Sequence, residues 1–188
     1  MAAGRGQQSL RIIAGQWRSR KIHFPDLPQL RPTPDRVRET LFNWLMPVID
    51  GARCLDLFAG SGALGLEALS RGAAEVVFVE RDKQVNTYLR DTLRLLKADH
   101  GMVVEADALS YLAGEATGFD IVFLDPPYQA EVLVPCCQAL AASPWLNPHA
   151  YIYIETASHT PLPELPANWE VTREKTAGQV AYRLLHTQ

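Results

Sequence analysis

From Ala52 onward the chain alternates short apolar runs with amphipathic stretches, and that succession restricts its fold more tightly than any single motif does. Residues 53–57, 75–80, 102–105, 120–124 and 151–155 read as strands. Helices over residues 63–70 and 82–97, and near 108–113 and 130–142, separate them. Strand-helix-strand repeats joined by right-handed crossovers call for an α/β architecture with a mostly parallel, doubly wound sheet. The end of the chain differs, because residues 169–175 and 179–186 flank Ala177-Gly178 with no intervening helix. They read as an antiparallel hairpin.

Ahead of this core lies a smaller unit. Residues 1–9 read as a disordered tail, and alternation around residues 10–24 predicts a short hairpin turning near residues 15–19. A proline-broken stretch, residues 27–34, leads into a helix over about 34–45 with Val37, Leu41, Trp44 and Leu45 on one face and its early arginines outward. A chain of 188 residues, 47% hydrophobic and 21% charged, is expected to form one domain burying roughly 70% of its unfolded surface. The division expected is a tail at 1–9 and a single domain at 10–188, with a basic extension (10–33) ahead of the catalytic core (34–188).

No apolar run approaches the ~20 residues of a membrane span, and the polar start lacks a secretory segment, so a soluble cytoplasmic protein is expected; a monomer is the expected state, though no sequence feature specifies it. The cysteines number three, with Cys136 and Cys137 adjacent in a predicted helix, which favours reduced thiols. No Cys/His spacing suits zinc, and no metal is expected. The formal charge is −3, but residues 1–40 carry eight Arg/Lys against three acids, a net +5 that leaves −8 for the rest. A basic edge on an acidic body suits a polyanion, with Arg11, Arg18, Arg20, Lys21, Arg31, Arg36 and Arg38 as candidate contacts.

Two motifs carry chemistry. The first core strand runs into Asp56-Leu57-Phe58-Ala59-Gly60-Ser61-Gly62-Ala63-Leu64-Gly65, a G-x-G-x-x-G match at 60, 62 and 65, with Glu80 at the next strand end placed to bind ribose hydroxyls. A nicotinamide oxidoreductase shares this fingerprint. Asp56, however, would set a negative charge where a diphosphate must sit. A phosphate-free ligand with a cationic amino group, such as S-adenosylmethionine, fits better, and Asp107 could accept from its adenine amine. The second motif, Asp125-Pro126-Pro127-Tyr128, follows a buried strand at the end where open α/β sheets bind ligands. Prolines have fixed φ and no N–H, so the carbonyls of Asp125 and Pro126 can project into a cleft as rigid acceptors for a flat amine, with Tyr128 as a stacking face.

Taken together, Asp56-x-Phe58-Ala59-Gly60-Ser61-Gly62, Glu80, Asp107 and Asp125-Pro126-Pro127-Tyr128 resemble class I S-adenosylmethionine methyltransferases acting on exocyclic amines. Arg11-Ile12-Ile13-Ala14-Gly15, the segment from Arg31-Pro32-Thr33-Pro34-Asp35-Arg36-Val37-Arg38 to Leu45 and the short length are similar, within that class, to the bacterial 16S rRNA guanine-N2 methyltransferase family RsmD. The resemblance spans nearly the whole chain. It implies a Rossmann-like seven-stranded fold, S-adenosylmethionine as cofactor, and methylation of one guanine N2 in 16S rRNA, with the 30S subunit or an assembly intermediate as partner. It implies cofactor contacts from Asp56, Phe58, Ala59, Gly60, Ser61, Gly62, Gly65, Glu80, Arg81, Asp107, Ala108 and Asp125, and catalysis at Asp125, Pro126, Pro127 and Tyr128. A DNA adenine-N6 methyltransferase shares the Asp-Pro-Pro-Tyr chemistry and stands as the alternative, ahead of the oxidoreductase and a non-catalytic RNA-binding module.

Overall fold

A computed structural model describes residues 8–28, 30–127 and 131–188. The extension pairs β1 (Gln8–Arg11) with β2 (Lys21–Phe24) in an antiparallel two-stranded sheet, and α1 (Asp35–Leu45) follows. Gln8 and Ser9, expected in a disordered tail, are instead in β1, and residues 1–7 lie outside the described residues. Burial accounts for this, because Leu10, Ile22 and Phe24 are inward-facing and fix the register through Gln8↔Phe24.

The core contains β3 (Arg53–Asp56), α2 (Ala63–Ser70), β4 (Glu75–Glu80), α3 (Lys83–Leu96), β5 (Gly101–Glu105), α4 (Ala108–Leu112), β6 (Phe119–Leu124), α5 (Leu133–Ala142), β7 (Leu146–Ala157), β8 (Trp169–Ala177) and β9 (Val180–Thr187). These form one seven-stranded sheet of order β5-β4-β3-β6-β7-β9-β8, parallel from β5 to β7 and antiparallel across β7-β9-β8. Strand order reverses between β3 and β6, the switch point at which such sheets open a crevice at their carboxyl ends.

Period-two alternation sorts the strand residues between two cores. Cys54, Val76, Phe78, Ile121 and Phe123 pack with residues of α1, α2, α3 and the extension, whereas Leu55, Val77, Val79, Val122 and Leu124 pack with residues of α4 and α5. Both faces are covered, as a parallel sheet requires. Local chemistry sets the helix ends: Asp82 caps α3 by accepting from the N–H groups of Gln84 (2.8 Å) and Val85 (3.1 Å), and Lys97 closes it in the left-handed region at φ 53°.

Two boundaries depart from expectation by more than two residues. β7 starts at Leu146 instead of 151 and runs through Asn147-Pro148-His149, although Asn and Pro favour turns. The early pairing Phe119↔Leu146 is followed by a register shift, and His149 takes φ 61°, so an irregularity absorbs the proline. α5 begins at Leu133, after a turn at Glu131 and Val132, and Ala130 lies outside the described residues. Cys54, Cys136 and Cys137 are buried free thiols. No helix among the described residues is long and apolar enough to cross a membrane.

Candidate active site

At the carboxyl edge of the sheet the glycine loop leaves β3 and enters α2. Gly60 and Gly62 take φ 50° and 77°, and a side chain at Gly62 would bring its Cβ to 2.8 Å from Leu89. Gly65 serves close packing instead, since a Cβ there would lie 2.2 Å from the Phe78 ring on β4. Above Gly60 there is room: an added Cβ would meet nothing nearer than Leu30 at 3.7 Å.

Acidic side chains organise this edge. Glu80 accepts from the N–H of Gly60 (3.0 Å) and of Asp82 (2.8 Å), so one carboxylate ties the loop to the end of β4. Each of its oxygens keeps a second acceptor site. Asn86, fully buried on α3, donates to the carbonyls of Glu80 and Asp82 (both 2.8 Å) and stiffens that turn from below. Asp107 is exposed after β5 and caps α4 by accepting from the Ser110 N–H (3.0 Å) and hydroxyl, which hold its carboxyl below the usual range. Arg81 is exposed beside Glu80, and Ala108 is buried in the first turn of α4.

Asp56 behaves differently from the open charge expected of it. It is 2% exposed, and its Oδ2 accepts from the Gly65 N–H at 3.0 Å beneath the loop. Burial pushes its pKa up to about 7, with the Glu80 charge adding and the Gly65 and Phe58 N–H groups opposing. Its visible role is to join β3 to α2, and electrostatic exclusion of a diphosphate is correspondingly weaker near neutral pH.

Asp125 emerges half-buried from β6, followed by Pro126, buried, and Pro127, exposed. Tyr128 lies outside the described residues. The Thr33 hydroxyl donates to Asp125 Oδ2 at 3.3 Å from the segment ahead of α1. Burial first, then Glu155, then Asp56 raise the Asp125 pKa well above the ordinary carboxylate value, and the Thr33 hydrogen bond opposes them. Glu155, buried on β7, accepts from the Tyr153 hydroxyl at 2.8 Å. The β6/β7 register, with Leu124 opposite Ile154, brings Glu155 level with Asp125.

The basic residues proposed from the sequence divide. Arg11, Arg18, Arg20, Lys21, Arg31 and Arg36 are exposed, although Arg11 lies 3.6 Å from Asp35. The outward position expected for Arg38 is corrected: it is fully buried. Its guanidinium donates to the carbonyls of Thr33 (3.1 Å) and Arg11 (2.9 Å) and to the carboxylates of Glu67 (3.3 Å) and Asp35. A helix start read from charge alone could not distinguish Arg36 from Arg38. The distinction comes from Glu67 on the apolar helix α2, a buried acid that demands a buried partner.

Sequence reasoning also passed over Tyr88, whose hydroxyl donates to the Ser61 carbonyl at 3.0 Å and braces the loop from α3. Thr33, Glu67, Asn86 and Glu155 were likewise missed, and for them only the apolar surroundings of Glu67 offered a signal. An open recess of about 330 Å³ lined by Asp50, Asp120, His149 and Tyr151 lies at the opposite end of β3 and β6 and shares no residue with this edge.

Comparison with known proteins points the same way. A family model described as conserved hypothetical protein 95 matches residues 10–186. Ribosomal RNA small subunit methyltransferase D of Escherichia coli is 54% identical over 179 residues, covering 95% of this chain and 90% of that protein. The protein of the same name from Haemophilus influenzae is 48% identical, covering 93% and 92%. A solved structure of a putative methyltransferase from Escherichia coli superimposes with a TM-score of 0.91 at 51% identity, covering 96% of this chain and 99% of that one.

Proposed function

Because this chain belongs to the ribosomal RNA small subunit methyltransferase D family, we propose that it methylates the exocyclic N2 of a guanine in 16S rRNA, using S-adenosylmethionine. The observation that carries the reading is Asp125, a half-buried carboxylate held by Thr33 at the switch-point edge and followed by two prolines.

The residues at this edge suit the cofactor. Open space above Gly60 lets the backbone approach a ligand, Glu80 retains acceptor capacity for hydroxyls, and Asp107 is an ionised acceptor beside the crevice. When bound, S-adenosylmethionine supplies a sulfonium-activated methyl group whose thioether leaving group needs no acid from the protein. The protein's work therefore lies on the amine. A guanine N2 lone pair is conjugated into its ring and is a poor nucleophile. The free oxygen of Asp125 and the Pro126 carbonyl accept the two N2 hydrogens, which favours a more tetrahedral nitrogen with its lone pair aimed along one line. Asp125 then takes the proton that the alkylated nitrogen gives up. Tyr128 would stack on a base drawn from its helix and offset part of an unstacking cost of a few kcal/mol. The exposed Arg11, Arg18, Arg20, Lys21, Arg31 and Arg36 are the candidate contacts for the RNA backbone within the small subunit or its assembly intermediate.

Asp125→Asn should remove turnover while leaving cofactor affinity within about twofold, as expected for a group acting on the amine and not on the cofactor. Full turnover in the variant, or loss of cofactor binding in step with turnover, would reject this role.

A further inference from the structure

We propose that Thr33 is a positioning residue for Asp125, and that the buried Arg38 holds it in place, so that the basic extension and the proton acceptor share one anchor. The proposal rests on the role assigned to Asp125 above.

Thr33 is 5% exposed, and its hydroxyl reaches Asp125 Oδ2 at 3.3 Å across 92 positions of sequence. Occupying Oδ2 leaves Oδ1 as the oxygen for the substrate amine. The donor has little freedom to move. Thr33 stands between Pro32 and Pro34, so its own backbone is biased to extended geometry by the following ring, and its β-branched side chain is stiff at χ1. Its carbonyl is held in turn by Arg38 Nε at 3.1 Å.

Arg38 reads the docking of the extension at the same time. Its Nη2 donates to the Arg11 carbonyl at 2.9 Å, and its Nη1 pairs with Glu67, whose oxygens also accept from the N–H groups of Ile13 (2.9 Å) and Ala14 (3.0 Å). One buried guanidinium therefore bonds to the strand that carries exposed Arg11, to the carbonyl of Thr33, and to the helix that the glycine loop enters. Displacing the extension displaces the donor to Asp125.

Among the described residues, the charged groups facing Asp125 are Glu155 from β7 and Asp56 from β3, and both disfavour its ionised form. Thr33 is the group that opposes them, so its removal acts on protonation as well as on orientation.

The test compares wild type, Thr33→Val, Thr33→Ser and Asp125→Asn, with single-turnover methyl transfer to unmodified 30S particles measured from pH 5 to 9. Thr33→Val keeps the shape and loses the donor. A hydrogen bond to a charged group is the scale of the loss, so the rate should fall about tenfold or more near neutral pH, with its acid limb displaced to higher pH. Cofactor and particle affinities should stay within about twofold, and Thr33→Ser should recover most of the rate and return the limb. If Asp125→Asn is inactive but Thr33→Val matches wild type in rate and acid limb, the positioning role is overturned while the acceptor role stands. A rate loss without a moved limb, or one that Thr33→Ser fails to rescue, also overturns it by marking Thr33 as a packing element. Full activity in Asp125→Asn removes the acceptor role itself. Should Thr33→Val fail to fold, Thr33→Ala assayed at lower temperature makes the same comparison.

Discussion

Replacing Glu67 with glutamine should cost this protein a large share of its stability, because four donors converge on that one carboxylate. Oε2 accepts from the Ile13 N–H (2.9 Å) and Arg38 Nη1 (3.3 Å), and Oε1 from the Ala14 N–H (3.0 Å) and Arg71 Nε (2.7 Å). The Glu67 side chain is 0% exposed and that of Arg38 is 1% exposed. An amide offers one oxygen, so two of the four donors would face an NH2 group. The Arg38 charge would keep only Asp35, half open to solvent, as its carboxylate partner. Breaking a buried pair of this kind costs about 3–5 kcal/mol. For a chain of this size each kcal/mol lowers the melting temperature by about 2–4 °C, so thermal unfolding should fall by roughly 6–20 °C, with a matching drop in the urea midpoint. The double variant Glu67→Leu/Arg38→Met should recover part of the loss by removing the stranded charge, though not all, since the Ile13 and Ala14 N–H groups stay unpaired. A Glu67→Gln loss below about 1 kcal/mol would instead mean that water reaches Arg38 and that the pair is not buried as described.

Two further predictions concern pH and RNA. The Asp56 carboxyl has a folded pKa of about 7 against an ordinary 3.8, so the folded state binds more protons between those values and this contribution to stability shrinks as pH rises from about 4 to about 7. Asp56→Asn removes that component, and the wild-type advantage measured by urea unfolding should decline across the window; a difference independent of pH would contradict the assignment. Charge reversal at exposed Arg31 and Arg36 should weaken binding to 30S particles and reduce its salt slope by roughly one per lost phosphate contact, with cofactor affinity unchanged. An unaltered salt slope would remove these residues from the interface.

Most of the architecture was legible because it rests on local signals. α2 and β4 begin and end where their apolar runs do, and Ala177-Gly178 marks the final hairpin. The glycine loop was equally plain as a strand-to-helix turn. Hidden features depend on partners distant in sequence. Arg38 looks like another member of a basic run until Glu67, 29 residues on, is seen to share its buried site. Thr33 looks like a residue in a proline-rich connector until the fold sets its hydroxyl against Asp125. The early start of β7 was obscured for a different reason: Pro148 and a left-handed His149 are turn chemistry, tolerated within a strand by an irregular pairing with β6.

Transfer of a labelled methyl group from S-adenosylmethionine to 30S particles and to naked 16S rRNA from cells lacking this enzyme, with duplex DNA alongside and nucleoside analysis of each, identifies the substrate. Label should appear in N2-methylguanosine of 16S rRNA and be absent with Asp125→Asn. Label in N6-methyladenine of DNA, or none in any pool from protein shown to bind the cofactor, would rule out guanine-N2 methylation of 16S rRNA.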